Sequence, residues 1–184
     1  EQCLIVLTSD HGEELDDHGS MEGHQWTLYE EVVRVPLLIK PPGPSATRVV
    51  REPAQHIDIA TTILGSLRVP APDSFQGRDL SGTLAGGAMP SHLWLFGRHA
   101  RHNHMQYARF GDHKLIHTDD TGVNSRGIPV VAGYELYDLK NDPAEQHNLY
   151  AADSPIAARM AEKLAAWSAS GVKRGGPLAA PRPS

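Results

Sequence analysis

Residues 4–7, Leu-Ile-Val-Leu, lead into Thr8-Ser9-Asp10-His11-Gly12 with no polar residue interrupting the apolar run. A run this short, without alternation, predicts a strand buried on both faces, the pattern of a parallel α/β sheet. Its carboxyl end carries a carboxylate and an imidazole, and open α/β sheets keep their ligands at that end. Ser, Asp and Gly also close strands as simple cap and turn residues, so Asp10-His11 taken alone reads as a turn. The balance changes because Asp17-His18-Gly19 and Gly23-His24 follow in the same loop. Three histidines among a run of acids exceed what a plain connection needs.

The loop is bracketed by core elements. Trp26–Arg34 reads as a short helix or turn, and Val35–Lys40 as a second buried strand, which Pro41-Pro42-Gly43-Pro44 terminates because proline cannot continue a central ladder. Val49–Pro53 is expected as a short edge strand. His56–Leu67 carries apolar residues at helical spacing, with Asp58 as the expected N-cap, so the His56/Asp58 pair reads as structural.

Residues 70–90 are rich in Pro, Gly, Ser and Asp and mark a boundary. Beyond it four short strands are expected, at Leu93–Gly97, Met105–Phe110, His113–His117 and Tyr134–Leu139, joined by turns such as Gly111-Asp112 into an antiparallel sheet. Ser154-Pro155 starts a final amphipathic helix to about Trp167. The domain reading is an α/β core piece at 1–90, a small α+β subdomain at 91–170 and a tail at 171–184.

At 184 residues with a net charge of -5, the chain can bury a core but has no general basic face, which makes nucleic acid a poor partner. No apolar run reaches the roughly 20 residues that cross a bilayer. A start at Glu1 directly before a strand reads as a fragment or a processed chain, with any targeting segment outside it. The single cysteine, Cys3, offers no disulfide and is expected as an inert packing thiol.

Adjacent Asp and His at a strand-to-turn junction can converge on one cation. The carboxylate favours Ca²⁺, Mg²⁺ or Mn²⁺ and the imidazole shifts preference towards Mn²⁺ or Zn²⁺, so spacing leaves the metal open. Two ligands are too few for a tight site. The chain also lacks a Gly-x-Ser-x-Gly elbow, a His-Glu-x-x-His motif, a phosphate-binding loop and paired zinc cysteines. The constellation has the appearance of half a site.

Several segments in order, Ser9-Asp10-His11-Gly12-Glu13, Asp17-His18-Gly19, Leu28–Ile39, His56–Leu64 and Tyr134–Leu149, resemble the carboxyl-terminal half of a type I sulfatase of the alkaline-phosphatase superfamily. The resemblance covers about residues 4–168. It implies part of an alkaline-phosphatase-like core sheet flanked by helices, then a small antiparallel sheet with a terminal helix. It implies Asp10 and His11 as ligands of a divalent cation, most often Ca²⁺, with Mn²⁺ or Mg²⁺ as alternatives, acting as a Lewis acid on a sulfate ester.

The family's Cys/Ser-x-Pro-x-Arg motif, whose residue becomes the formylglycine nucleophile, is absent from these residues, so the chain alone is expected to be catalytically silent and to work with a missing amino-terminal segment. Where many members carry a sulfate-binding lysine this sequence reads Gly23-His24-Gln25-Trp26. His24 is therefore expected to bind the sulfate or protonate the leaving oxygen, and His18 to line the substrate pocket. Arg98, His99, Arg101 and His102 are a second candidate anion contact or a solvated basic turn. The implied partner is a sulfated small molecule or glycan, and the resemblance is compatible with a periplasmic or secreted protein. A phosphate or phosphonate ester hydrolase of the same superfamily and a non-catalytic module that keeps the fold are the alternatives.

Overall fold

The computed structural model describes residues 2–19, 21–24, 26–44, 46–89, 94–99, 105–123, 127 and 129–170. The first elements are β1 (Ile5–Thr8), a small hairpin β2 (Glu14–Leu15) and β3 (Met21–Gly23), one helical turn α1 (Glu30–Val33) and β4 (Leu37–Lys40). α2 (His56–Ser66) and α3 (Ser81–Leu84) follow. The remainder is β5 (Trp94–Arg98), β6 (Met105–Phe110), β7 (His113–Thr118), the short pair β8 (Gly122–Val123) and β9 (Pro129–Val130), β10 (Gly133–Asp138) and α4 (Pro155–Ala169).

The expected strands at the two ends of the histidine-rich loop exist, but their surroundings differ from expectation. β1 pairs antiparallel with β4, Ile5 opposite Lys40 and Thr8 opposite Leu37. Ile5 is 53% exposed and Leu7 58%, so these residues themselves supply no layer over that face of the strand. Two strands satisfy one edge of each other and cover neither face; burial requires a second layer. Cys3 is likewise exposed within these residues.

The carboxyl-terminal half forms a four-stranded antiparallel sheet in the order β10-β7-β6-β5. β6 and β7 are joined through Gly111-Asp112, with Phe110 opposite His113 and Gly111 at φ +59°, which a tight hairpin turn demands and glycine tolerates. Alternation along each strand divides the side chains between two cores. Ala108, Leu115 and Leu136 face α4, where they meet Ala157, Met160 and Leu164. Met105, Ile116 and Tyr137 face the other way, onto Leu28 with Tyr29 and Val33 around α1. The sheet is thus the middle layer, and its second face carries the segment that brackets the histidine loop.

Ser154 caps α4 through its hydroxyl, which accepts from Ala157 N–H, with Pro155 in the first turn. α2 starts at His56, and its cap position is Gln55, three residues before the expected Asp58. Asp58 lies at the third helical position and reaches back, its Oδ2 accepting from Gln55 N–H at 2.9 Å. Asp58 is not the N-cap because the helix is already formed at His56; as the third helical residue it completes a capping box with Gln55 and also holds Arg78.

Val49–Pro53 forms no strand: Val49 is 76% exposed, Pro53 has no N–H to give a ladder, and the nearby Arg48 is held by the carbonyls of Thr83 and Gly87 at 3.3 and 2.8 Å. The β2–β3 hairpin, read from sequence as loop, is too short and too polar to show period-2 alternation. Arg101, His102 and the tail from residue 171 lie outside the described residues. No described helix is long and apolar enough to cross a membrane.

Candidate active site

Two backbone devices position the strand end. Gly12 N–H donates to Val32 O at 2.8 Å and Glu13 N–H to Glu31 O at 3.1 Å, which ties the residues after β1 to the carbonyls of α1. A Cβ on residue 12 would run into the Glu31 carbonyl, so glycine is required there by close approach. The β2–β3 hairpin then folds the loop back. Glu14 pairs with Gly23, so the residue before the hairpin, Glu13, and the residue after it, His24, come to lie side by side. Glu14 itself is buried, its Oε1 accepting from Thr27 Oγ1 at 2.9 Å and Trp26 N–H at 3.2 Å.

The result is that the hairpin brings three of the four expected site residues together. His11 and His24 stack with ring centroids 3.5 Å apart and planes 22° from parallel. Asp10 Oδ2 lies 3.5 Å from His11 Nε2. His24 Nδ1 is shielded from solvent and has no hydrogen bond among the described residues, with Glu13 Oε2 3.7 Å away. The donor atoms of His11, Glu13 and His24 all fall within 4.8 Å of one another. Glu13, which sequence reasoning did not single out, is found only through the hairpin register.

The chemistry of the rings separates their roles. His11 Nδ1 donates to the Gly12 carbonyl at 2.7 Å, which leaves Nε2 as the nitrogen facing Asp10. Lone pairs lie in the ring plane, and nearly parallel rings stacked at 3.5 Å send them along nearly parallel paths. The two rings would therefore not both direct an in-plane lone pair at one cation, and His11, next to Asp10, would be the ring that holds it. Asp10 lies beside His11, and the three-donor cluster among the described residues is His11, Glu13 and His24. Asp10 is fully open to solvent; its own backbone amide, followed by the charge of His11, holds its carboxyl below the usual range.

His18 is placed differently. Its Nδ1 meets Glu31 Oε1 at 2.7 Å, its Nε2 meets the Glu145 carbonyl at 3.0 Å, and its ring stacks on Tyr29 at 3.7 Å. Both nitrogens are taken by protein, so in this arrangement the ring pins the loop rather than presenting a donor to a pocket. Burial alone lowers its pKa, but the hydrogen bond to Glu31, the Glu145 carbonyl and the charges of both acids outweigh that and raise it.

Below α1 lies a buried charge cluster. Lys114, without solvent contact, pairs with Glu30 Oε1 at 3.1 Å and Glu145 Oε1 at 2.9 Å, while Arg109 reaches Glu30 Oε2 at 3.4 Å. Burial pushes the Glu145 carboxyl up, with Lys114 pulling it the other way. Tyr29 and Tyr137 both donate to Glu135 Oε1, at 2.9 and 3.0 Å. At the start of α2, His56 Nε2 meets Ser9 O at 2.8 Å and Asp58 is fully used by Arg78 and Gln55, so this pair is structural, as its helix-entry position implied.

A strand end with clustered carboxylate and imidazole donors, seated on a small antiparallel sheet with a terminal helix, defines a sulfatase-type α/β domain with an alkaline-phosphatase-like fold. The chain belongs to the family described as N-sulphoglucosamine sulphohydrolase, C-terminal, which it matches over residues 18–170. It is 29% identical over 149 residues to the uncharacterized sulfatase YidJ of Escherichia coli strain K12, covering 81% of this chain and 28% of that protein. It is similar, with a TM-score of 0.70 and 25% identity, to a structure solved in complex with its substrate D-glucosamine-2-N,6-O-disulfate, covering 95% of this chain and 35% of the other. It also resembles the phosphonate monoester hydrolase of Silicibacter pomeroyi, with a TM-score of 0.67, 25% identity and coverage of 91% and 34%. The chain thus spans about a third or less of the length of the proteins it matches.

Proposed function

We propose that this chain is the part of a metal-dependent sulfatase that supplies one side of the cation site and one wall of the sulfate pocket. The observation that carries the proposal is the convergence of Asp10, His11 and His24 at the end of β1 in a chain of a sulfatase family.

Asp10 and His11 hold the divalent cation, with Ca²⁺ favoured by the resemblance and Mn²⁺ or Mg²⁺ as alternatives. When bound, the cation polarises the ester oxygens as a Lewis acid. Gly12 and α1 keep the two ligands in register. His24 turns Nδ1 towards Glu13, so Nε2 is the nitrogen left for a sulfate oxygen or for the proton that goes to the leaving oxygen. The formylglycine nucleophile and further acidic ligands come from outside these 184 residues. The substrate class is a sulfated small molecule or glycan; a relative solved with a disulfated glucosamine supports the sugar.

The likeness to a phosphonate monoester hydrolase favours a second reading, an enzyme acting on phosphate or phosphonate esters, because tetrahedral oxyanions make similar demands. A non-catalytic module is the third. The test uses the full-length enzyme with aryl sulfate, aryl phosphate and aryl phosphonate, before and after chelation, alongside His24→Ala. The expected result is preference for the sulfate, loss on chelation and a fall of about a hundredfold in kcat for the variant. Faster turnover of phosphate or phosphonate would replace the sulfatase reading, and no chelator-sensitive turnover of any ester would favour the module.

A further inference from the structure

Glu145, in the turn after β10, is 1% exposed and holds a backbone φ of +52°, a conformation that side chains rarely adopt. Three contacts converge on this residue. Its Oε2 accepts from the N–H of Glu30, the first residue of α1, at 2.5 Å. Its Oε1 pairs with Lys114 at 2.9 Å, and its carbonyl meets His18 Nε2 at 3.0 Å. α1 has no side-chain cap from its own N-cap residue, Tyr29. The carboxylate that caps it comes from the far side of the four-stranded sheet's connections, 115 residues along the chain.

From α1 the contacts continue to the strand end. The carbonyls of Val32 and Glu31 receive the amides of Gly12 and Glu13, which flank His11 on its carboxyl side. His18 lies inside the loop that carries His11 at one end and His24 at the other, and Glu145 and Glu31 hold its two nitrogens. One residue therefore grips both the helix that anchors the strand end and the ring that anchors the loop. A carboxylate suits the place because one oxygen accepts from an amide while its charge pairs with an ammonium at the other. An amide side chain would turn a donor towards one of them.

We infer that Glu145 is a positioning residue: it locks α1 and His18 to the four-stranded sheet and thereby sets the placement of Asp10, His11 and His24. Its kinetic consequence rests on the proposed sulfatase function, whereas its structural content does not. Glu145 touches no reacting atom, so the effect passes through geometry, and displacements of the order of 1 Å at reacting groups cost about a hundredfold in rate.

The experiment compares two variants of the full-length enzyme, Glu145→Gln and the double variant Lys114→Met/Glu145→Met. The double change removes the Lys114–Glu145 pair together, so neither is left as an unpaired buried ion, and Glu30, which loses Lys114, keeps Arg109 at 3.4 Å. Two readouts are taken on folded protein: kcat and KM for an aryl sulfate, and the imidazole resonances of His11 and His24 by NMR. The expected result is a fall in kcat of about tenfold or more with KM nearly unchanged, together with displaced His11 and His24 resonances, in the double variant even if Glu145→Gln does not fold. Wild-type kcat and unmoved resonances in a folded variant would overturn the inference. If the wild-type enzyme turns over no sulfate ester, the proposed function fails, and the resonances still decide the role of Glu145: displacement supports it and its absence overturns it.

Discussion

Removing the Asp58 carboxylate tests the buried ion pair that fixes α2 beside the strand end. The side chain is 2% exposed and accepts from Arg78 N–H at 2.7 Å, Arg78 Nη2 at 2.5 Å and Gln55 N–H at 2.9 Å. Asp58→Ala leaves the guanidinium and two amides without their acceptor. Breaking a buried pair from one side costs about 3–5 kcal/mol. Arg78 keeps 22% of its side-chain surface in contact with solvent, which moves the value towards the lower end. The lost bond to the helix cap adds about 1 kcal/mol, so the expected destabilisation is about 3–4 kcal/mol.

Urea unfolding monitored by circular dichroism reads this as a lower midpoint at an unchanged slope. Arg78→Met alone and the double variant complete the cycle, and the double variant should lose less than the sum of the singles by at least about 1.5 kcal/mol. A loss below about 1 kcal/mol for Asp58→Ala, or additivity within about 0.5 kcal/mol, would refute the claim that the pair is coupled and buried.

Three further outcomes follow from the same geometry. Asp10→Ala in the full-length enzyme should abolish stoichiometric divalent metal, measured by elemental analysis, together with sulfate-ester turnover; retained metal would remove Asp10 from the ligand set. Gly12→Ala keeps every candidate ligand but pushes against the Glu31 carbonyl, so kcat should fall at least about tenfold while metal content is retained, read by the same two assays. The raised pKa of His18 means that its contribution to stability is complete below its unfolded value of about 6.5 and is lost as pH rises through the higher folded value. Urea midpoints across that range should therefore decline with pH in the wild type more steeply than in His18→Gln, and parallel curves would show that His18 is not the titrating group.

Much of the architecture was legible because it rests on local rules. Gly111-Asp112 between two β-favouring runs, and Ser154-Pro155 ahead of an amphipathic stretch, name their turn and cap chemically, and β7 and α4 start where these residues say they do. Asp10, His11 and His24 were legible as candidates because motif and residue type carry them. Burial was less legible. Leu4–Leu7 has the composition of a strand covered on both sides, yet among the described residues β1 pairs in a sheet only with β4, and no layer from these residues covers Ile5 and Leu7. Composition reports what a strand would tolerate, and a second layer decides what it receives.

The sequence by itself determined the strand end, the identity of the metal-capable side chains and the family to which they belong, since each depends on neighbours along the chain. Only the tertiary structure decided how they are arranged. The register of a two-residue-strand hairpin sets Glu13 against His24, and ring stacking divides His11 from His24. The turn after β10 reaches back to cap α1 and to occupy His18. These are pairings between residues far apart in sequence, where a one-residue shift in register redirects every side chain, and no local preference encodes that shift.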